Sequence, residues 1–408
     1  MIKYKVPLIY AFFYGLLVAI LSGMFFFLPW SMSLEYQLYD RIQQKTVIDS
    51  KGDWQYNYYA PWLEQVTLIN LDSSFIDKET DRIKANKLAK FIEKIDTQLL
   101  NSKIIFLDYE YNASIDKERT LFNALSKIQQ RLILPLGIDI NKKIAIRGKN
   151  SQLTKVDIKL KKYDQVPALA YGYTSPFTDP YSFSNRYYKY RTDDTSYCSV
   201  PYLIQKQISN QPEKNLYQKG LTELKFVLRN EDVLNKERAI LVYDARYILD
   251  GRMDKENVKS VIEDKIVFIG LFDNYRTKHG LSVDKFLTPV QSNMSGSMLL
   301  VNAWLNLAAG GLVRVNPVLL IFLFNFIVAL IMSTWYQSTR GKEWSAMITL
   351  FINLGISLIL FPMVGLLLFL VLEVKLALGV SLLLFQYHYQ IFVYINEKTK
   401  YISDAKNN

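Results

Sequence analysis

Gln65 to Asp72 reads QVTLINLD, a bounded apolar run rich in β-branched residues that closes on a carboxylate. A run this short and this apolar is the pattern of a strand buried on both faces. It returns as KIIFLD (103–108), RLILPLG (131–137), AILVYD (239–244) and KIVFIGLF (265–272). Between the first three lie stretches of helical period, from about Asp81 to Leu100 and from about Asp116 to Gln130, with a shorter one near Met253 to Glu263. Strand and helix in alternation predict a mainly parallel sheet flanked by helices. LKFVL (224–228) reads as a further strand and SLEYQLYDRIQQ (33–44) as a short helix, while about Ile138 to Tyr202 is tyrosine-rich, without a period, and reads as loop.

Outside this α/β region the chain is apolar. Pro7 to Leu28 carries no charged side chain and is long enough to cross a hydrocarbon core of about 30 Å. Lys3 and Lys5 precede it as in a signal peptide, but it ends in bulky FFFLPW with no small-residue cleavage pattern, so it is read as a retained span. Pro317 to Tyr336 makes a second span. Ser345 to Ile395 has only Glu373 and Lys375 charged; it is too long for one crossing and divides at LEVK into helices of about 345–370 and 375–395. The expected fold class is therefore an α/β extracytoplasmic domain with a mainly parallel sheet flanked by helices, plus four transmembrane α-helices, one N-terminal and three C-terminal. The divisions are 1–30, 31–315, 316–395 and a tail of 396–408.

Lys3 and Lys5, Arg340 and Lys342, and Lys398, Lys400 and Lys406 all fall on one side of that arrangement. The positive-inside rule puts both termini in the cytoplasm and the large domain outside, and Trp30, Trp335 and Trp344 at span ends fit an aromatic belt. A single cysteine, Cys198, excludes an internal disulfide and suits the inner membrane of a bacterium with the domain in the periplasm. The net charge of +11 shows no arginine block or basic stripe, so nucleic acid is not an expected partner; membrane lipid is.

Several fragments, in order, resemble the second CHASE family, the cyclase- and histidine-kinase-associated sensory extracellular domains. They are LYD (38–40), INLDSS ending the first strand, IIFLDYEY, KIVFIGLFDN, DKFLTPV (284–290) and the segment from Gly296 into NAWLNLAAGG. NRYYKY around Arg186 resembles the family's short arginine-containing stretch but lacks its usual Asp-Gly. The resemblance implies a sensor, often a dimer, signalling through a cyclase or kinase module after the last span. Only Asn396 to Asn408 follow that span here, so the expectation is a sensor whose output is supplied by a separate membrane or cytoplasmic effector.

Asp72 and Asp108 each close a parallel strand, and ligands of open α/β sheets bind beyond the carboxyl ends of strands. With Glu110 and Asp284 they form a donor set suited to a hard cation such as Ca²⁺ or Mg²⁺, or to a cationic ligand. Two readings stay open, since Asp72 equally fits a turn cap and Asp284 a support for the Thr-Pro turn. Arg186 is a candidate to pair with these carboxylates or an anion, or is an exposed loop residue. Gly296 opens the last helix of the domain, where backbone N–H groups can hold an anion or simply receive the Ser295 cap. No histidine triad, phosphate loop or activated thiol is legible, so no catalytic residue and no resident cofactor are assigned.

In the spans, Asn325, Asn353, Gln386, His388 and Gln390 are polar groups that need a partner helix or a water pocket. The leading reading is a non-enzymatic sensor or scaffold, acting as a homodimer or in a hetero-complex. The alternatives are a structural subunit of an envelope complex, using tyrosine-rich residues 171–202 as contact surface, and an exported metal-dependent hydrolase built on Asp72, Asp108 and Asp284.

Overall fold

A computed structural model describes residues 5–25, 39–45, 47–48, 54–77, 82–136, 138–140, 158–160, 166–178, 184–190, 198–209, 221–229, 240, 242–272, 285–310, 314–315 and 318–339, with parts of 351–394. The chain divides into two compact units, Gln43–Leu312 on one side and Met1–Ile42 with Val313–Asn408 on the other.

The larger unit is built on a six-stranded sheet of order β10-β1-β11-β2-β3-β6, parallel throughout. Its strands are β1 (Val66–Asn70), β2 (Ile104–Leu107), β3 (Leu132–Pro135), β6 (Ala170–Gly172), β10 (Val242–Asp244) and β11 (Ile266–Gly270). Successive side chains of a strand point to opposite faces. Leu68, Phe106 and Phe268 accordingly enter one core, while Ile69, Leu107 and Ile269 enter the other. Both faces must therefore be covered, and both are.

On the second face lie α3 (Ala85–Leu100), α4 (Thr120–Lys127), α6 (Ala245–Leu249) and α7 (Lys255–Ile262). α3 buries Leu88, Phe91, Ile92, Ile95 and Leu99, a stripe at helical spacing in which each large side chain contributes roughly 2 kcal/mol. On the first face lie α2 (Trp54–Leu63), α5 (Val200–Ile208) and α8 (Gly296–Ala308).

The region read as loop contributes β6 at the sheet edge, the pair β4 (Ile138–Ile140) and β5 (Ile158–Leu160), and the strands β7 (Phe177–Thr178) and β8 (Asn185–Lys189), which form an antiparallel sheet with β9 (Leu221–Glu223) beyond it. These strands are two to five residues long, too short for their sequence to show a period. A last antiparallel pair, β12 (Lys285–Phe286) with β13 (Met294–Ser295), precedes α8.

In the smaller unit, α1 (Lys5–Phe25) packs on α9 (Val318–Thr339). The fit is close at Gly15, where a Cβ would stand 3.1 Å from the Phe322 carbonyl oxygen and 3.2 Å from Phe326 Cβ. Phe361 meets Phe324 at 5.2 Å and Phe385 at 5.4 Å, so the described parts of all four expected spans share one cluster. β14 (Arg314–Val315) pairs in parallel with β15 (Val374–Lys375). Among the described residues, Val318–Tyr336 is long and apolar enough to cross a membrane, whereas Pro7–Ser22 and Ile359–Leu368 are shorter apolar helices.

α8 is largely apolar, and it lies inside the larger unit with Gly296 through Leu307 buried. Such a helix must also satisfy any polar backbone laid against it. The segment 224–228, expected as a strand, does not join the sheet. Its backbone bonds instead to side chains of α8. Asn302 Oδ1 accepts from the Val227 and Leu228 N–H groups at 2.9 and 3.0 Å, and its Nδ2 donates to the Leu228 carbonyl at 3.1 Å. One turn on, Asn306 Oδ1 accepts from Lys225 N at 2.8 Å and Nδ2 donates to Lys225 O at 2.7 Å. The two amides replace a neighbouring strand. Replacing Asn302 by Leu leaves two buried N–H groups without acceptors, and we expect a loss of about 3 kcal/mol in denaturant unfolding of the purified protein.

Candidate functional site

The carboxyl edge of the sheet is where β1, β11 and β2 end side by side, with Asn70 in register with Gly270. Leu107 is paired with Ile269, which brings Asp108 level with Gly270. By strand parity Asn70, Asp108 and Gly270 all face the layer that holds α8. There Ser297 Oγ donates to Asp108 Oδ2 at 2.7 Å, joining the end of β2 to the first turn of α8. A carboxylate at a helix N-terminus is favoured by the exposed N–H groups of that turn. Gly270 makes this approach feasible. A Cβ there would overlap Ser297 Oγ and lie 3.1 Å from Asp108 Cβ. Asn70 completes the edge by accepting from Phe272 N at 2.9 Å.

Above this edge Tyr188 is fully buried, its hydroxyl donating to the Tyr173 carbonyl at 3.3 Å. Burial raises its phenol well above the ordinary range, and the neighbouring Tyr173, Tyr190 and Asp108 act in the same direction. Tyr190 donates to the Ala303 carbonyl of α8 at 2.7 Å. The tyrosine-rich stretch is thus partly core, bonded to the same helix.

Asp72 bonds on the opposite layer. Its carboxylate accepts from Ser74 N at 3.0 Å and from Ser74 Oγ, capping the single 3₁₀ turn Ser73–Phe75, and Ser74 Oγ in turn accepts from Lys87 of α3. Asp72 and Asp108 stand at the ends of strands separated by β11, and their carboxylates bond in different layers. Glu110 is exposed, and Asp284 lies outside the described residues. Among the described residues no three His, Cys, Asp or Glu side chains are grouped as metal ligands.

Arg186 is completely buried on β8, 3.5 Å from the equally buried Glu223, with its Nε donating to Ser184 Oγ at 3.0 Å. Gly296 is buried at the start of α8, where Ser295 Oγ caps the helix by accepting from Met298 N at 3.2 Å. In the smaller unit Asn325 donates to the Ile321 carbonyl at 2.9 Å and to Ser381 Oγ at 3.1 Å. His388 is buried among Tyr10, Tyr14, Tyr336 and Phe385, and Gln390 is exposed. Asn353 and Gln386 lie outside the described residues.

Ser297, Gly270 and Asn302 were not singled out from sequence. The signal present was the pair Asn302 and Asn306, spaced i, i+4 on an otherwise apolar helix.

A parallel sheet covered on both faces, its carboxyl edge bonded to α8, defines an α/β domain. The CHASE2 domain family model matches residues 15–336, most of the chain, and the chain belongs to that family. CHASE2 is a family of sensory domains, typically extracellular domains of membrane proteins. No curated protein and no solved structure matches the chain.

Gly270→Ala should destabilise the protein by about 2 kcal/mol, and a large share of that should return when Ser297→Ala is added, as read in a double-mutant unfolding cycle. Alkaline stability tests the loop after β2. Burial, with Asp116 nearby, pushes the Tyr109 phenol up to about 12, and burial with the bond donated to Asp116 does the same for Tyr111. As pH rises past 10 the unfolded chain releases these protons and the folded chain keeps them, so stability should fall progressively between about pH 10 and pH 12. Tyr109→Phe should flatten that decline.

Proposed function

We propose that this protein is a non-enzymatic, membrane-anchored sensor or scaffold whose outer domain receives a ligand or protein and whose membrane helices pass the change to a separate partner. The observation that carries the reading is the contrast between two apolar helices. α8 is buried along its length, whereas α9 leaves Leu319 68 % and Ile331 62 % exposed, and α1 leaves Ile9 and Ile20 each 52 % exposed, even though α1 and α9 pack together. A contiguous apolar surface of that kind is stable in lipid and a liability in water. Asn325 Nδ2 donating to Ser381 Oγ is the kind of interhelical polar contact expected in such a setting.

The signal path follows from covalent order. α8 receives Asp108 at its first turn and the 225–228 segment along its length, and residues 309–317 then lead into α9. With the lysine distribution of the flanks, this supports a bacterial inner-membrane protein of four spans, both termini cytoplasmic and the domain periplasmic, working as a homodimer or with an effector. A structural subunit that uses residues 171–202 as its contact surface is less well supported, because Tyr173, Tyr188, Tyr190 and Tyr202 are buried. A metal-dependent hydrolase is disfavoured by the separation of Asp72 and Asp108 into different layers.

In a Cys198→Ser background, a cysteine placed at Lys255 should react with an impermeant thiol reagent added to spheroplasts and one at Lys398 should not; the reverse pattern would sink the topology. Purification in mild detergent should yield a stoichiometric effector or a homodimer. A flexible Gly/Ser insertion near Val315 should leave that assembly intact and abolish its response, and an unchanged response would refute coupling through α8.

A further inference from the structure

α2 reads WQYNYYAPWL, ten residues without a charged side chain. The exposed face of a helix on a water-facing domain is ordinarily where its charges sit, and α3 and α7 of the same unit obey this. α3 exposes Lys90, Glu93 and Lys94, and α7 exposes Lys255, Glu256 and Lys259. α2 instead exposes Asn57, Tyr58 and Pro61, with Trp62 half-buried beside them. Its inner face is ordinary core, where Tyr59 and Leu63 are buried in the first layer.

The outer rings are held in place. Tyr58 lies 4.9 Å from Tyr59 and 5.9 Å from Trp62 between ring centroids, and its hydroxyl donates to the Ala309 carbonyl at 3.4 Å. Ala309 caps the end of α8, and the apolar helix α9 starts at Val318. From 309 to 318 even a fully extended chain covers at most about 30 Å, so covalent length ties the carbonyl that Tyr58 holds to the start of α9. A basic residue borders the same face: Gln55 Nε2 donates to the Lys45 carbonyl at 3.2 Å, which sets the exposed Lys45 beside the first turn of α2. Tyr and Trp are the side chains enriched where hydrocarbon meets water, because the ring is apolar while its O–H or N–H bonds to headgroups and water.

We propose that the face of α2 formed by Asn57, Tyr58, Pro61 and Trp62 rests on the outer surface of the bilayer that holds α9, with the two rings at headgroup level and Lys45 over anionic phospholipid. The contact sets the depth at which the end of α8 stands, since Tyr58 belongs to the lipid-facing surface and bonds to the Ala309 carbonyl. This inference rests on the membrane-anchored reading and adds to it a lipid surface as a partner of the outer domain.

The test uses the full chain, in a Cys198→Ser background, in nanodiscs of phosphatidylcholine and phosphatidylglycerol. A bimane fluorophore is attached at Asn57→Cys, Lys255→Cys or Ile331→Cys, and its emission is compared with and without nitroxide-bearing lipid. Nitroxide at the headgroup should quench the Asn57 label roughly twofold and leave the Lys255 label, on a helix of the opposite face of the sheet, unchanged. Nitroxide deep in the acyl chain should quench the Ile331 label, on the exposed face of α9. Adding Tyr58→Glu should remove most of the quenching at Asn57, and thermal unfolding in detergent should show that variant folded, because Tyr58 is 46 % exposed. Loss of quenching at Asn57 alone, or quenching that Tyr58→Glu leaves unaltered, would overturn the contact, whereas loss at Ile331 as well would overturn the membrane reading beneath it. Quenching of the Asn57 label by a nitroxide on a second copy of the chain, and not by lipid, would also overturn it, since a protein face would then cover α2.

Discussion

The side-chain amides of Asn302 and Asn306 are the interaction on which the larger unit depends. A helix as apolar as α8 is driven into the core, but the chain segment beside it, 224–228, brings backbone N–H and C=O groups that cannot be left dry. Two asparagines one turn apart meet that need by presenting to the segment the donors and acceptors a strand would have offered. The helix is buried without an orphaned backbone at these residues, and its position is fixed by directional bonds as well as by packing. Tyr190 and Ser297 add bonds on other parts of its length.

The proposed sensor reading draws on the carboxyl edge of the sheet. Asp108 lies at the end of a strand, where ligands of such sheets are received, and its carboxylate is bonded to the first turn of the same helix. One hydrogen bond and one tight contact at Gly270 join that edge to α8. In sequence α8 ends at Ala308 and α9 begins at Val318.

Much of the fold was legible because its signals are local. The five runs that became β1, β2, β3, β10 and β11 are apolar on both faces, and the period of α3 and α4 survives in any context. Three features were not legible for physical reasons. Segment 224–228 has the composition of a strand, but its backbone is bonded by Asn302 and Asn306 and lies outside the six-stranded sheet. Arg186 looked like a loop cation, and its burial against Glu223 depends on β9, some 35 residues further along the chain. Asp72 and Asp108 look equivalent in sequence, yet each bonds to whichever layer passes over it.

The sequence by itself determined the parallel α/β class, the separation of that domain from apolar helices, and the membership that its ordered fragments pointed to, since these rest on composition, period and order along the chain. Tertiary structure decided which carboxylate meets which helix, and that a tyrosine-rich stretch serves in the core. It also decided that α8 and α9, nearly indistinguishable as apolar helices, have different surroundings. The reason is common to all three: a residue's chemistry is written in the chain, but its partner is set by which distant segment the packing brings against it.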